Sequence, residues 1–298
     1  MSGPIVPPTE DRNPRTAGLD RMDTRRILEI LNDEDRTVGV AVARALPEIV
    51  RVVDLSVEAL ARGGRLVYLG AGTSGRLAAL DASEVPPTFG FPPDRVIAIL
   101  AGGDEALLRA VEGAEDDALE AVARMRDIAV GPPDLVLGIS ASGTTRFVLG
   151  GLGEARERGA TTALLTCGTR PPQGLWHVTV AVETGPEAVT GSTRLKAGTA
   201  TKLVLNMVST AAMVRLGRVY DNLMVDVAPT NEKLRRRAVR IVEAAAGVPP
   251  DRAREALARC GGEVRAAVVS LRRGLGPEES RARLAAHGGD LRRALEAP

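Results

Sequence analysis

Sulfur, imidazole and aromatic side chains are scarce in this 298-residue chain, and each shortage closes off some chemistry. There are 2 Cys, Cys167 and Cys260, and no CxxC pair, which excludes a disulfide framework and points to a reducing compartment. The 2 His, His177 and His287, are too few, even with the cysteines, to build a zinc site. Aromatic residues make up 2% of the chain, too few for a base-stacking platform on single-stranded nucleic acid. Neither sign of charge is in excess. The 39 Lys+Arg and 38 Asp+Glu leave a formal charge of +1, which argues against binding nucleic acid or a membrane surface through bulk charge. No run of about 18 apolar residues exists, so no membrane span is expected. The opening stretch MSGPIVPPTEDRNPRT mixes acidic and basic groups without an apolar centre. It does not read as a secretory signal, and a cytoplasmic protein is expected.

What is present is ample apolar material. Hydrophobic residues are 44% and charged residues 26%, enough for a large core and incompatible with wholesale disorder. The length suggests roughly two domains. Residues 1–20, rich in Pro, Thr and charge, read as an extended arm. A helical period begins at Arg21, with Met22, Ile27, Leu28 and Leu31 on one face. A second helix is expected to restart at Asp35 and to run to Leu60, closed by Gly63-Gly64. Five short apolar runs follow, at 65–69, 96–100, 135–139, 162–165 and 178–182. The first three lead through polar loops into helices expected through Leu80, from Glu105 to about Met125, and to about Arg158. Strands alternating with helices predict an α/β fold, an open, doubly wound parallel sheet of about five strands with right-handed crossovers. Long helices are expected over 194–216 and 231–246. The division expected is an arm with N-terminal helices over 1–50, the α/β domain over 51–225 and a C-terminal helical subdomain over 226–298. That last part holds a repeat offset by 27 residues. Leu257 matches Leu284, Gly261-Gly262 matches Gly288-Gly289, Val264 matches Leu291, and Arg265 matches Arg292. Each copy reads as helix, Gly-Gly turn, helix, with too few apolar residues to stand alone.

Three polar loops could hold a ligand. The first, Gly70-Ala-Gly72-Thr73-Ser74-Gly75, spells GxGxxG between strand and helix, so a dinucleotide site has to be weighed. Such a site also needs an acid ending the second strand. The stretch Asp81–Pro87 reads instead as a Pro-broken loop, and Asp104 stands behind two glycines. A smaller anion uses the same physics, because the free N–H groups and positive dipole end of a helix start suit a phosphate. The third strand ends in a second such loop, Ser140-Ala-Ser142-Gly143-Thr144-Thr145. Two hydroxyl-rich loops at the carboxyl ends of strands suit a phosphomonoester, although Ser and Thr at helix starts can be caps alone. Neither loop has the Gly-Lys-Ser/Thr of an ATP-binding P-loop. A third stretch, Gly185–Lys196 with Glu187 and Ser192, either closes the other side of the pocket or is a loop capped at Ser192 or Thr193.

Two carboxylates stand out. Glu84 sits among apolar and Pro neighbours that are expected to strip it of water and raise its pKa, as a general acid requires. Glu115 lies with Glu112 and Asp116, and composition does not choose among the three. Cys167 is expected to be buried and inert, His177 to be a core or surface residue, and Lys196 or Lys202 either to assist an anion or to sit on a helix surface.

The runs TEDRNPRT, GAGTSGRLAALDASEVPPTFG, AGGDEALLRAVEGAEDDA, SASGTTRFVLGGL, GPEAVTGSTRLKAGTATKLVLNMVSTAAMV and VYDNLMVDV resemble the N-acetylmuramic acid 6-phosphate etherases, built on a sugar isomerase (SIS) domain. The resemblance extends in order over nearly the whole chain. It implies cleavage of the lactyl ether of N-acetylmuramic acid 6-phosphate to N-acetylglucosamine 6-phosphate and D-lactate in cell-wall recycling, by a cytoplasmic homodimer without metal or nucleotide cofactor. By position it makes Glu84 the proton donor and Glu115 the second catalytic acid. The sugar phosphate would be held by Gly72, Thr73, Ser74, Ser83, Ser140, Ser142, Gly143, Thr144, Glu187 and Ser192. The third-strand loop departs from the family's usual ASGRTPY at Thr144 and Arg146, and Thr166–Pro172 lacks an Asn-rich form. The competing functions are a non-catalytic sugar-phosphate sensor, which needs the loops but not both acids, and a nicotinamide-dependent oxidoreductase suggested by GxGxxG alone.

Overall fold

Five apolar runs pair as β1 (Leu66–Gly70), β2 (Val96–Leu100), β3 (Leu135–Ile139), β4 (Thr161–Thr166) and β5 (Val178–Ala181). All pairings are parallel, in the order β2-β1-β3-β4-β5, as the alternating pattern predicts. Every residue of β1 and β3 is buried, as expected for central strands covered on both faces. The computed structural model describes residues 8–169, 174, 176–227 and 231–297. They form two compact units. One is built from the chain up to Ala82 and from Asp94 to Ser209; the other is built from Ser83–Pro93 and from Thr210 onward.

The helices are α1 (Thr24–Arg44), α2 (Leu46–Ala61), α3 (Gly72–Phe89), α4 (Glu105–Leu108), α5 (Ala118–Asp127), α6 (Arg146–Glu157), α7 (Lys196–Arg215), α8 (Glu232–Ala246), α9 (Pro250–Arg259), α10 (Val264–Arg273), α11 (Pro277–Ala286) and α12 (Leu291–Glu296). No described helix is long and apolar enough to cross a membrane. In the first unit, Val67, Leu69, Val136 and Leu164 point to one face of the sheet. There they pack with Ala121 and Met125 of α5 and with Phe147, Val148 and Leu152 of α6. Helix α2 lies against β1, β3 and β5.

Four local expectations need correcting. The described part of the N-terminal arm is not extended. It forms three short 3-10 turns between Pro8 and Arg21, and Thr9, Asn13 and Thr16 are buried. Asp35 starts no helix, since α1 runs through it. The break falls at Ala45, because Pro47 is tolerated only in the first turn of a new helix. The stretch from Asp81 to Pro87 is helical, not a broken loop, and Pro86 and Pro87 lie inside α3. Neither has an N–H to give the carbonyl four residues back, so α3 forgoes the bonds to Ala82 and Ser83 just before it ends at Phe89. The single helix expected from Glu105 to Met125 is instead α4, a 3-10 turn at Ala114–Asp116 and α5. The interruption falls at Arg109, which is extended, and at Gly113, which has a φ of 75°.

In the second unit both copies of the 27-residue repeat form helix, Gly-Gly turn, helix, as α9–α10 and α11–α12. Leu257, Val264, Val268, Leu284, Leu291 and Leu295 share one core with Ile241 and Val242 of α8. The matched arginines both reach the segment that precedes α8. Arg265 pairs with Asp226 at 2.5 Å, and the Arg292 guanidinium lies 4.9 Å over the Tyr220 ring.

The amino ends of β1 and β3 are clamped by one ion pair. Arg65 donates from Nε and Nη2 to Asp134 at 3.1 and 2.7 Å, and the backbone N–H groups of Arg65 and Gly131 complete the carboxylate's shell at 2.9 and 3.0 Å. Burial pushes the Asp134 carboxyl up, but the Arg65 hydrogen bonds and the two N–H groups outweigh it and hold the pKa below the usual range. A depressed folded-state pKa adds stability above the unfolded value, about pH 4, and that contribution is lost as pH falls through the native value. Asp134→Asn should therefore lower the unfolding free energy by about 2–4 kcal/mol at pH 7. In urea titrations the gap from the parent chain should narrow in acid; a gap independent of pH would contradict the assignment.

Candidate active site

Strand order reverses between β1 and β3, and in an open α/β sheet ligands lie outside the carboxyl ends of strands at such a point. The first two polar loops flank it. After β1 the chain enters α3 at Gly72. The first helical hydrogen bond runs from the Gly75 N–H to the Ala71 carbonyl at 3.2 Å, so the N–H groups of Gly72, Thr73 and Ser74 precede the ladder. Gly70 and Gly75 serve close packing, whereas Gly72 has open space around it and a φ of 52°. A Cβ on Gly75 would stand 2.1 Å from Leu100 Cδ1 and 2.7 Å from the Gly70 carbonyl oxygen. Strand-to-helix contact thus accounts for Gly70 and Gly75, and the positive φ of the turn into α3 for Gly72, without a dinucleotide. The strand β2 ends in Leu100-Ala101-Gly102, with no acid for a ribose.

The loop after β3 is a knot of hydroxyls. The buried Ser140 Oγ accepts from the Gly143 and Thr145 N–H groups at 3.0 and 3.3 Å and pairs with Thr145 Oγ1 at 2.8 Å. Ser142 Oγ pairs with Thr144 Oγ1 at 2.8 Å and accepts from the Thr144 N–H at 3.2 Å. Ser140 therefore organises the loop, while Ser142 is half-buried and Thr144 exposed.

The third stretch borders the same region. A Cβ on Gly198, in the first turn of α7, would lie 3.5 Å from Thr73 Cγ2. Glu187 is completely buried, and its carboxylate accepts from the Lys196 and Ala197 N–H groups, both at 2.9 Å. It is the cap of α7, a role expected of Ser192 or Thr193, and it is already occupied. Burial nevertheless leaves its carboxyl above the usual range, against the opposing pull of those N–H groups and the Lys196 charge. Lys196 is neither a surface residue nor a free anion ligand. Its Nζ is buried 2.7 Å from Glu34 Oε2, and Arg15 pairs with the other oxygen of Glu34. Ser192 lies in a turn, its N–H donating to Val189 at 2.9 Å. His177 Nδ1 is taken up by Thr162, accepting from its N–H at 3.1 Å and lying 3.0 Å from its hydroxyl.

The acids behave differently from one another. Glu115, in the 3-10 turn after α4, lines a pocket of about 190 Å³ with Gly72, Arg76, Ala106, Val111 and Glu112. This pocket separates Glu115 from Asp116, which does not line it. Glu84 stands on an exposed face of α3, as does its neighbour Ser83. The expected burial of Glu84 is not found. The apolar neighbour Val85 turns inward, with Ala82 and Phe89, and leaves Glu84 on the wet side of the helix. One carboxylate went unnoticed in the sequence. Asp81 accepts from Tyr68 OH at 3.0 Å and from Ser209 Oγ at 3.1 Å, and burial raises its pKa against those bonds. Nothing local marked it, because both donors are far away in the chain. Among the described residues no three His, Cys, Asp or Glu side chains gather as a metal site requires.

The sheet order and the paired loops are those of a sugar isomerase, or SIS, domain. A family model described as the glucokinase regulatory protein N-terminal SIS domain matches residues 48–156. The solved structure of a phosphoheptose isomerase from Francisella tularensis superposes with a TM-score of 0.50 at 18% identity, covering 65% of this chain and 100% of that one. Two relatives named N-acetylmuramic acid 6-phosphate etherase are much nearer in sequence. The Pectobacterium atrosepticum protein is 51% identical over 264 residues, 88% of this chain and 87% of its own length; the Serratia proteamaculans protein is 52% identical over 266, 88% and 89%. The chain belongs to the N-acetylmuramic acid 6-phosphate etherase family.

Cys167 is buried at the end of β4 beside Ala197 and Thr201 of α7. Burial, with the nearby Glu187 charge, pushes its thiol up to about 12 against the Thr201 hydrogen bond. An aromatic disulfide reagent at pH 8 should therefore leave Cys167 untouched in the native protein and titrate it once urea unfolds the chain. Rapid native labelling would contradict this placement.

Proposed function

We propose that the protein cleaves the lactyl ether of N-acetylmuramic acid 6-phosphate, giving N-acetylglucosamine 6-phosphate and D-lactate. Its identity of about half to the named etherases over 88% of the chain carries the reading. The two loops at the strand-order reversal support it, because they offer a phosphate a cluster of N–H and hydroxyl donors at two helix starts.

An ether resists cleavage because an alkoxide leaves poorly. In the open-chain sugar, carbon 1 is an aldehyde and the proton on carbon 2 becomes acidic. Glu115 takes that proton. The bond from carbon 3 to the lactyl oxygen breaks, and Glu84 protonates the departing oxygen. This is elimination, the chemistry of a carbon–oxygen lyase. Glu84 then takes a proton from water as its oxygen adds to carbon 3, and carbon 2 recovers a proton. Two carboxyls of opposite protonation suffice for the sequence, which requires no metal or nucleotide.

The phosphate docks on the N–H groups of Gly72, Thr73 and Ser74 and on the Ser74, Ser142 and Thr144 hydroxyls, while the N–H groups of Gly143–Thr145 are spent within their own loop. Ser140 acts by holding its loop. Far from the bond that breaks, this anion site lends binding energy to positioning. We infer that the chain works as a homodimer. A cytoplasmic role in recycling cell-wall sugars follows from the substrate.

Incubation of the pure protein with N-acetylmuramic acid 6-phosphate should release D-lactate without added cofactor, read by a lactate dehydrogenase assay. Glu84→Gln should lower that rate by at least about 100-fold while leaving sugar-phosphate binding intact. Binding with no turnover by the parent chain would favour a sensor instead. Ser74→Ala combined with Ser142→Ala should raise KM by about 10-fold or more with a smaller effect on kcat. An unchanged KM would place the anion elsewhere.

A further inference from the structure

The excursion from Ala101 to Asp117 has little of its own to hold it. Its only helix is four residues long, and Gly102, Gly103 and Gly113 all adopt positive φ. Ala101 and Ala106 are its only buried apolar residues, while Leu108 is 91% exposed and Leu107 and Val111 are 41% and 39% exposed. Burial of so little apolar surface does not fix a segment of this length, and such a segment opens easily. The 3-10 turn that bears Glu115 rests on α6, with Ala114 against the core, and two side chains from outside tie down the part before it. From α5, Glu120 Oε2 accepts from the Gly102 N–H at 3.5 Å. From α3, Arg76 donates from Nε to the Ala106 carbonyl at 2.8 Å and from Nη2 to the Arg109 carbonyl at 3.0 Å. The second tether is the stronger, being shorter, doubled and charge-assisted. It also comes from the turn immediately after Gly72–Gly75, so one helix start carries both the candidate anion site and the anchor. Gly72, Arg76 and Glu115 line the same pocket.

We propose that Arg76 is a positioning residue for Glu115: by holding the carbonyls of Ala106 and Arg109 it fixes the 101–117 excursion against α3 and so sets the base's distance from carbon 2 of a sugar anchored at Gly72–Ser74. This rests on the reading of Glu115 as the base. The arginine moves no proton and does not touch the reacting carbons. Its planar fork serves two carbonyls at once, which a lysine ammonium on a flexible stem does poorly.

The test uses the full chain and its Arg76→Ala and Arg76→Lys variants. Hydrogen exchange is read over 101–117, kcat and KM are measured on N-acetylmuramic acid 6-phosphate, and the Kd for N-acetylglucosamine 6-phosphate is measured by calorimetry. Arg76→Ala should lower kcat by about 100-fold, the size of effect produced by a misplacement of about 1 Å. KM and Kd should stay within about threefold, and faster exchange should be confined to 101–117. Arg76→Lys should recover part of kcat, and added guanidinium should recover part of the Ala variant's rate. An unchanged kcat overturns the proposal, as does a loss of sugar-phosphate affinity with unchanged exchange, which would make Arg76 an anion ligand. If Arg76→Ala fails to fold, the Lys variant decides by the same pattern. If the parent chain releases no lactate, the etherase reading fails by itself. The exchange comparison then still judges the tether, and unchanged exchange over 101–117 overturns it.

Discussion

The reversal of strand order between β1 and β3 is the constraint from which the remaining features take their meaning. At that point the crossovers leave in opposite directions, and two helix starts, those of α3 and α6, are left side by side with backbone N–H groups not yet in a ladder. Such a place attracts negative charge before any side chain is considered. The glycines after β1 let helix and strand approach to contact at Gly75, and the Ser140 knot shapes the loop after β3.

Many polar groups near this point serve the fold. Glu187 is consumed by the start of α7, Lys196 by Glu34, and Ser140 by its own loop. Each was a reasonable ligand by residue type. What removes them is burial together with a full set of partners, because a group already hydrogen-bonded out of water gains nothing from a ligand. The groups that stay accessible are fewer: the α3 N–H groups, the outer hydroxyls of the second loop, and Glu115 at its pocket.

The parallel sheet and the tail repeat were legible in the sequence because they rest on short-range signals. Apolar runs of five, polar loops and a 27-residue offset survive any tertiary arrangement. The helix boundaries around the acids were not. Pro86 and Pro87 looked like a break, yet α3 carries both in its last turn at the cost of two ladder bonds and ends at Phe89. The run after Glu105 carried a helical period, but Gly113 and the extended Arg109 divided it. The exposure of Glu84 could not be read from apolar neighbours, since neighbours in sequence occupy opposite sides of a helix. Asp81 and Arg76 were invisible for a different reason. Their partners, Ser209 for one and the Ala106 and Arg109 carbonyls for the other, are brought together only by the fold.

The central claim is that a sugar phosphate seats its anion between the starts of α3 and α6. Amide chemical shifts followed by NMR during titration with N-acetylglucosamine 6-phosphate address it directly. The largest saturable shifts should fall on Gly72–Gly75 and Ser142–Thr145. Saturable shifts confined to the helices α8–α12, with both loops silent, would contradict it.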